Sequence, residues 1–222
     1  MRINKYIARA TGMSRRSADI AISNGAVVVN GTPAQPGQDI SITDSVTLDG
    51  KEIHLPEVFT TILLNKPTGY VCSREGQGSK TVYDLLPKEL NHLKTVGRLD
   101  KDSSGLLLLT NDGALANMLT HPTHAKTKVY EVTLNAPLTK LDWSSVHEQG
   151  LMLPDGISRL FLERLKPFDD MHWQVTMHEG RNRQIRRTFR AIGYSVVSLH
   201  RIQFGPYTLA NIAEGDYSPI SR

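Results

Sequence analysis

Four consecutive leucines at 106–109 stand between a charged run and an Asn-Asp-Gly signal in "GRLDKDSSGLLLLTNDG", residues 97–113. A run so apolar, short and bounded by turn residues fits a strand inside a core. "KTVGRLD" and "SGLLLLT" therefore read as two buried strands, and "DKDS" as the connection where the chain leaves the sheet. Asp100 falls on the last residue of the first strand pattern, and the alternation of Arg98 with Asp100 puts both side chains on one face. Aspartate at a strand end is often no more than a turn former. Here it is pressed against a segment that must be buried, and a buried carboxylate needs a cationic partner.

The chain supplies cations in two blocks. Arg2, Lys5, Arg9, Arg15 and Arg16 precede Ala18 without an acidic residue, and Arg181, Arg183, Arg186, Arg187, Arg190 and Arg201 lie between Gly180 and Ala213, again without one. The formal net charge is only +4, so it is the segregation that marks two polyanion-facing surfaces. In the second block Arg183, Arg186 or Arg187, and Arg190 recur at helical spacing opposite Ile185, Phe189 and Ile192. The pattern predicts a helix that is basic on one face and packed on the other, closed at Gly193. A length of 222 residues suits a small domain followed by a larger one. No apolar run reaches the roughly 18 residues of a membrane span, and the N-terminus lacks the apolar stretch of a secretory signal. A soluble, cytoplasmic protein with no membrane partner is expected. The single cysteine, Cys72, excludes an intrachain disulfide and reads as a small core residue.

The division between the two domains is expected at residue 57, after Pro56. Within 1–57, Ile3, Ile7 and Ala10 share a helical face, Gly12 ends that helix, and Ser14 caps a second one running to Gly25. "AVVVNGTPA" and "VTLDGKEI" read as hairpins about Asn-Gly and Asp-Gly. The segment "SRRSADIAISNGAVVVNG" resembles the alpha-L RNA-binding domain of the kind found in small-subunit ribosomal protein S-four. The resemblance implies that Arg15 and Arg16, with Lys5 beside them, meet structured RNA. Beyond residue 57, "TTILLNKPTGYVCS" predicts a strand, a turn at Lys66-Pro67-x-Gly69 and a second strand. "REGQGSKT" lacks the Gly-Lys-Ser/Thr of a phosphate-binding P-loop. In "KTKVYEVTL" Lys128 and Tyr130 share one strand face.

Four segments, "LNKPTGYVCS" at 64–73, "GRLDKDSSGLLLLTNDG" at 97–113, "KVYEVTL" at 128–134 and "EGRNRQIRR" at 179–187, together resemble the pseudouridine synthases of the Rsu branch. These are bacterial rRNA-modifying enzymes with an N-terminal alpha-L domain, and the resemblance covers nearly the whole chain. It implies an α+β protein: a small helix-helix-hairpin RNA-binding domain over 1–57, then a mixed, largely antiparallel β-sheet catalytic domain flanked by helices over 58–222. It further implies that Asp100 is the catalytic aspartate, Arg186 its basic partner and Tyr130 the residue against the target uracil. Ile185 then lines the base pocket, Arg98 helps to hold the flipped-out conformation, and Lys66 and Arg183 complete the substrate-binding set. Ser103 stands where the family often has threonine, keeping the hydroxyl.

The implied reaction detaches ribose C1′ from uracil N1 and joins it to C5, with no redox change and no net water. No metal and no other cofactor is therefore expected. An ionised carboxylate in a dry site, a charge partner that lowers its pKa, and walls that retain the loose base suffice. The target nucleotide must first leave its stack. The expected partner is structured ribosomal RNA or a ribosome assembly intermediate, with large-subunit rRNA preferred and the chain acting as a monomer. A hydrolase using Asp100 and Asp102 would want a nearby histidine, but His121 and His124 read as a loop. A non-catalytic ribosome-associated RNA-binding protein would have no use for a carboxylate set among phosphate-directed cations.

Overall fold

The computed structural model describes residues 1–56, 58–121, 123 and 126–220. Glu57, at the expected domain division, and His124 lie outside the described residues. The N-terminal unit follows its local signals. Helix α1 (Ile3–Thr11) ends at Gly12 with φ 79°, and the Ser14 side chain accepts the Ser17 amide to cap α2 (Arg15–Ser23). Strand β1 (Val27–Val29) turns through Asn30 and Gly31 into β2 (Thr32–Pro33), and β3 (Val46–Leu48) turns through Asp49 and Gly50 into β4 (Lys51–Glu52). All four turn residues have positive φ, as the Asn-Gly and Asp-Gly pairs require. The antiparallel order β2-β1-β3-β4 closes, with Ile3, Ile7, Ala18 and Ile22 of the helices, a core of its own.

The rest of the chain builds one larger sheet from β5 (Thr61–Lys66), β6 (Lys94–Val96), β7 (Ser104–Thr110) and β8 (Lys128–Leu134). After a hairpin of β9 (Leu151–Leu153) and β10 (Gly156–Ser158), it adds β11 (Phe161–Arg164), β12 (His172–Met177), β13 (Val196–Phe204), β14 (Tyr207–Thr208) and β15 (Tyr217–Pro219). Helices α3 (Gly113–Thr120), α4 (Lys140–Ser144) and α5 (Gln184–Ala191) are interspersed. The order is β11-β12-β8-β13-β7-β5-β15, with β6 paired to β7 and β14 to β13. Among the described strands of this sheet, only β13 and β7 pair in parallel. Where they meet, Gly105 has φ 100°, and a Cβ there would lie 2.3 Å from the Arg201 carbonyl oxygen, so no other residue fits.

The four leucines lie in β7 and are buried on both faces. Leu107 and Leu109 join the core that contains Ile185 and Phe189 of α5. Leu106 and Leu108 join a second core with Leu115 and Leu119 of α3 and with Phe204. Alternation sends successive side chains to opposite faces, so an unbroken apolar run is what a strand covered on both sides demands. Each of these side chains contributes about 1.5–3 kcal/mol by leaving water. The Asn-Asp-Gly signal after them starts a helix: the Asp112 side chain accepts the Ala114 and Leu115 amides and caps α3.

One expected strand is cut short at β6 and another is reduced to a single bridge. Pairing of the first ends at Val96, Gly97 turns the chain at φ 71°, and residues 97–103 run as a loop with no strand partner. Arg98 and Asp100 are therefore loop residues, and their alternation carries no information about a shared strand face. The stretch after Lys66 makes only a single bridge, Val71 with Thr81.

Candidate active site

Loop 97–103 is held from beneath by Lys66. This side chain, fully buried at the end of β5, donates to the carbonyls of Pro67 at 3.0 Å, Asp100 at 3.1 Å and Ser103 at 2.7 Å. The chain thus has both ends of the Asp100–Ser103 turn tied to one ammonium, and the Ser103 amide closes that turn onto the Asp100 carbonyl. Burial pushes the Lys66 pKa down, opposed by Cys72, Asp100 and Asp102. Lys66 has no exposed surface and so does not touch substrate; the expectation that it binds substrate is replaced by a role in positioning the loop.

Over the loop stand two arginines from the start of α5. Arg183 precedes the helix in the left-handed region, φ 47°, rather than lying within it as the spacing predicted. That turn swings its guanidinium back onto the loop, where Nη1 and Nη2 grip both oxygens of Asp102 at 3.1 and 3.0 Å, and Nη1 also reaches Asp100 Oδ2 at 3.2 Å. Arg186 donates to the Asp102 carbonyl at 2.8 Å and to the Val196 carbonyl at 2.8 Å, and its Nε lies 3.4 Å from Asp102 Oδ2 without hydrogen-bond geometry. The direct partner of Asp100 is therefore Arg183, and Arg186 is not hydrogen-bonded to it. The helical spacing could not show this, because the reach of Arg183 comes from a backbone conformation.

Asp102 draws most of the positive charge. The Arg183 hydrogen bonds hold its carboxyl below the usual carboxylate range, aided by Arg186, and Asp102 in turn pushes the Arg183 pKa up. Burial lowers that of Arg186. Among the described residues Asp100 keeps one hydrogen bond on Oδ2 and none on Oδ1, with its side chain 37% exposed. It is a half-open carboxylate on the wall of a cleft, not a buried one: the loop position leaves one side to solvent.

That cleft has a volume of about 840 Å³. Tyr130 from β8 and Ile185 from α5 line it, both nearly buried, and exposed Arg98 stands on its rim. The structure thus brings Asp100, Tyr130, Ile185, Arg98 and Arg183 to one cavity. A further cation went unrecognised as a site residue. Arg201 is 2% exposed, faces Tyr130 across the β13–β8 pairing and lines the same cleft. Its Nε donates to the Leu106 carbonyl at 2.8 Å, and among the described residues its Nη2 has no hydrogen-bond partner and no carboxylate pairs with it. A buried guanidinium without a counter-ion favours an anion nearby. Its position inside a strand whose neighbours alternate with His200 and Gln203 hid it within the basic block. Cys72 is half-buried against the core, its sulfur accepting the Leu99 amide at 3.4 Å, and burial raises its pKa. Among the described residues, no group of three His, Cys, Asp or Glu side chains could hold a metal ion, and no helix is long and apolar enough to cross a membrane.

Lys5, Arg15 and Arg16 are exposed on the N-terminal unit, far along the chain from this cleft, and none is paired with a carboxylate among the described residues. The unit touches the rest through Lys94, whose ammonium donates to the Met13 carbonyl at 2.8 Å.

The cleft coincides with a known sequence family. Residues 60–191, which carry Lys66, Asp100, Tyr130 and Arg186, match the family described as RNA pseudouridylate synthase. The chain belongs to this family. It is a pseudouridine synthase of mixed α+β fold. Over its full length the synthase is 37% identical to the ribosomal small subunit pseudouridine synthase A of Pasteurella multocida, covering 96% of that protein. It is 36% identical to the ribosomal large subunit pseudouridine synthase B of Bacillus subtilis, over 97% of this chain and 90% of that one. A solved structure described as a pseudouridylate synthase superposes with a TM-score of 0.72 at 34% identity, covering 100% of this chain and 96% of the other.

Proposed function

We propose that the synthase isomerises a uridine of ribosomal RNA and that the Asp100 carboxylate is the reacting group. The observation that carries this reading is the unequal sharing of Arg183: Asp102 takes its bidentate grip, and Asp100 is oriented through Oδ2, with Oδ1 unbonded among the described residues on the cleft wall. A carboxylate in that state can act on C1′ or on the base, whereas one bound at both oxygens cannot. When the C1′–N1 bond breaks, its electron pair stays on the uracil ring. When C1′ joins C5, the C5 proton is lost and N1 gains one, so the sum is an isomerisation. Tyr130 and Ile185 wall in the loose base, and unpaired Arg98 is placed to hold the extruded backbone.

Residues 1–57 serve in this reading as an alpha-L-type RNA-binding domain, with Lys5, Arg15 and Arg16 on phosphate, and residues 58–222 as the catalytic domain, acting as a monomer in the cytoplasm. Ribosomal RNA as substrate is supported by relatives named for it. Relatives named for the small subunit are 34–37% identical and relatives named for the large subunit 36–37%, so they give the large subunit no preference. The test is a map of pseudouridines in both ribosomal RNAs from cells with and without this gene. At least one site is expected to vanish and to return when the gene is restored. Unchanged maps in both RNAs would refute ribosomal RNA as the substrate.

A further inference from the structure

We propose that Phe161, His178 and Arg159 form a second nucleotide subsite, which holds the base and phosphate of an unpaired nucleotide next to the flipped uridine. The inference rests on the reading of the cleft as the RNA site. All three side chains line the cleft that contains Asp100, on the side built by the opposite end of the sheet.

Phe161 opens the edge strand β11 and is 45% exposed, a costly place for a phenyl ring that packs into no core. Its orientation is nevertheless specified. The His178 imidazole meets it at 6.0 Å and 64°, and the His147 imidazole at 5.9 Å and 86°, while His147 itself stacks on Trp143 at 4.4 Å and 19°. His178 is oriented in its turn by Thr127, with Nδ1 and Oγ1 3.3 Å apart. A ring held edge-on from two sides yet open to solvent is a preorganised stacking surface. Every base has a π-face, so stacking on an aromatic side chain suits an unpaired nucleotide of any sequence.

The charge around it favours RNA over an apolar partner. Arg159, two residues before Phe161, is exposed and makes no hydrogen bond or ion pair among the described residues, in contrast to Arg181 and Arg187, both committed to Asp155. Lys126 and Lys128 line the same cleft, and Glu179 beside them is paired with Arg181. An open ring flanked by an uncommitted guanidinium and ammonium groups matches a base with its phosphate.

The experiment uses an RNA fragment that contains the mapped uridine, and a set of the same fragment with each unpaired neighbour in turn made abasic. On the intact fragment Phe161→Leu should bind about 5- to 100-fold more weakly than wild type, the range of one lost base stack. Phe161→Tyr, which keeps the ring, should bind within about twofold. At one abasic position wild type should lose as much, and Phe161→Leu should lose nothing more. Arg159→Gln should lower the salt slope of binding by about one. Equal binding by Phe161→Leu and wild type, or losses that add at every abasic position, would overturn the subsite. Pseudouridine formation by wild type on the intact fragment tests the cleft separately: if it occurs and the Phe161→Leu loss does not, the subsite fails and the active site stands.

Discussion

Arg181 and Arg187 face Asp155, whereas Arg183 and Arg186, from the same short stretch of chain, face Asp100 and Asp102. At Asp155 the binding is saturated. Arg187 grips both carboxylate oxygens at 3.0 and 2.7 Å, and Arg181 adds bonds to Oδ1 and to the carbonyls of Asp155, Gly156 and Ile157. The result is a strap that ties the β9–β10 hairpin to α5, reinforced by Ser158 and Thr188 at 2.8 Å. In the cleft the same residue types are shared differently. Asp102 receives the bidentate grip and Asp100 a single bond, so one oxygen stays available. What separates the two clusters is how the guanidinium groups are shared: Asp155 is bound at both oxygens while Arg181 also reaches Glu179, whereas Asp100 is bound at one.

The largest effect is expected from removing the free oxygen's charge. Asp100→Asn should lower the single-turnover rate at saturating RNA by at least about 10⁴-fold, with RNA affinity kept within a few-fold, since the group acts in the reaction and not in binding. Measurable product from this variant on the mapped substrate would remove Asp100 from the chemistry. Lys66→Met comes next. It removes the ammonium that ties the Pro67, Asp100 and Ser103 carbonyls together, so Asp100 should shift and the saturated rate fall on the order of 100-fold, with a loss of about 1–3 kcal/mol in thermal unfolding. A normal rate in a folded Lys66→Met protein would show that the loop holds itself.

The N-terminal unit should respond in binding alone. Arg15→Gln with Arg16→Gln should raise the half-saturating RNA concentration roughly tenfold and flatten its salt slope by about two, leaving the plateau rate alone. A collapsed plateau with unchanged half-saturation would mean that this unit positions the target base. At the strap, Asp155→Asn should speed amide exchange across residues 151–158 and change the saturated rate by less than about twofold. A rate loss there as deep as that of Lys66→Met would erase the distinction between the two clusters.

The parts of this molecule that could be read in advance are those fixed by near neighbours in sequence. Ser14 as a cap, Asn30-Gly31 and Asp49-Gly50 as hairpin turns, and the leucine run as a strand depend on a few residues each. The loop at 97–103 was misread because Arg98 and Asp100 alternate as strand residues do, while the absence of a pairing partner is a property of the whole sheet. Lys66 and Arg201 were placed on the surface by the usual rule for cations; their burial is set by carbonyls that arrive from other elements. Arg183 owes its role to a left-handed backbone that nothing in "EGRNRQIRR" announces. That Asp100, Arg98, Tyr130, Arg183 and Ile185 line one cleft is legible as a set in the sequence, and their pairwise contacts are not.

The effect that decides the central claim belongs to Asp102. Its carboxyl is held below the usual carboxylate range by Arg183 and Arg186, so its ion pair stabilises the fold above that range and is lost as pH falls through the lowered value. Asp102→Asn should accordingly lose less stability than wild type in that acid window. The direct measurement is the single-turnover rate of Asp102→Asn on the mapped RNA at saturating concentration and neutral pH. A division of labour between the two carboxylates predicts a rate within about tenfold of wild type, because the amide oxygen of the asparagine still accepts from Arg183 and leaves Asp100 its charge and its single bond. A loss as complete as that of Asp100→Asn would contradict it.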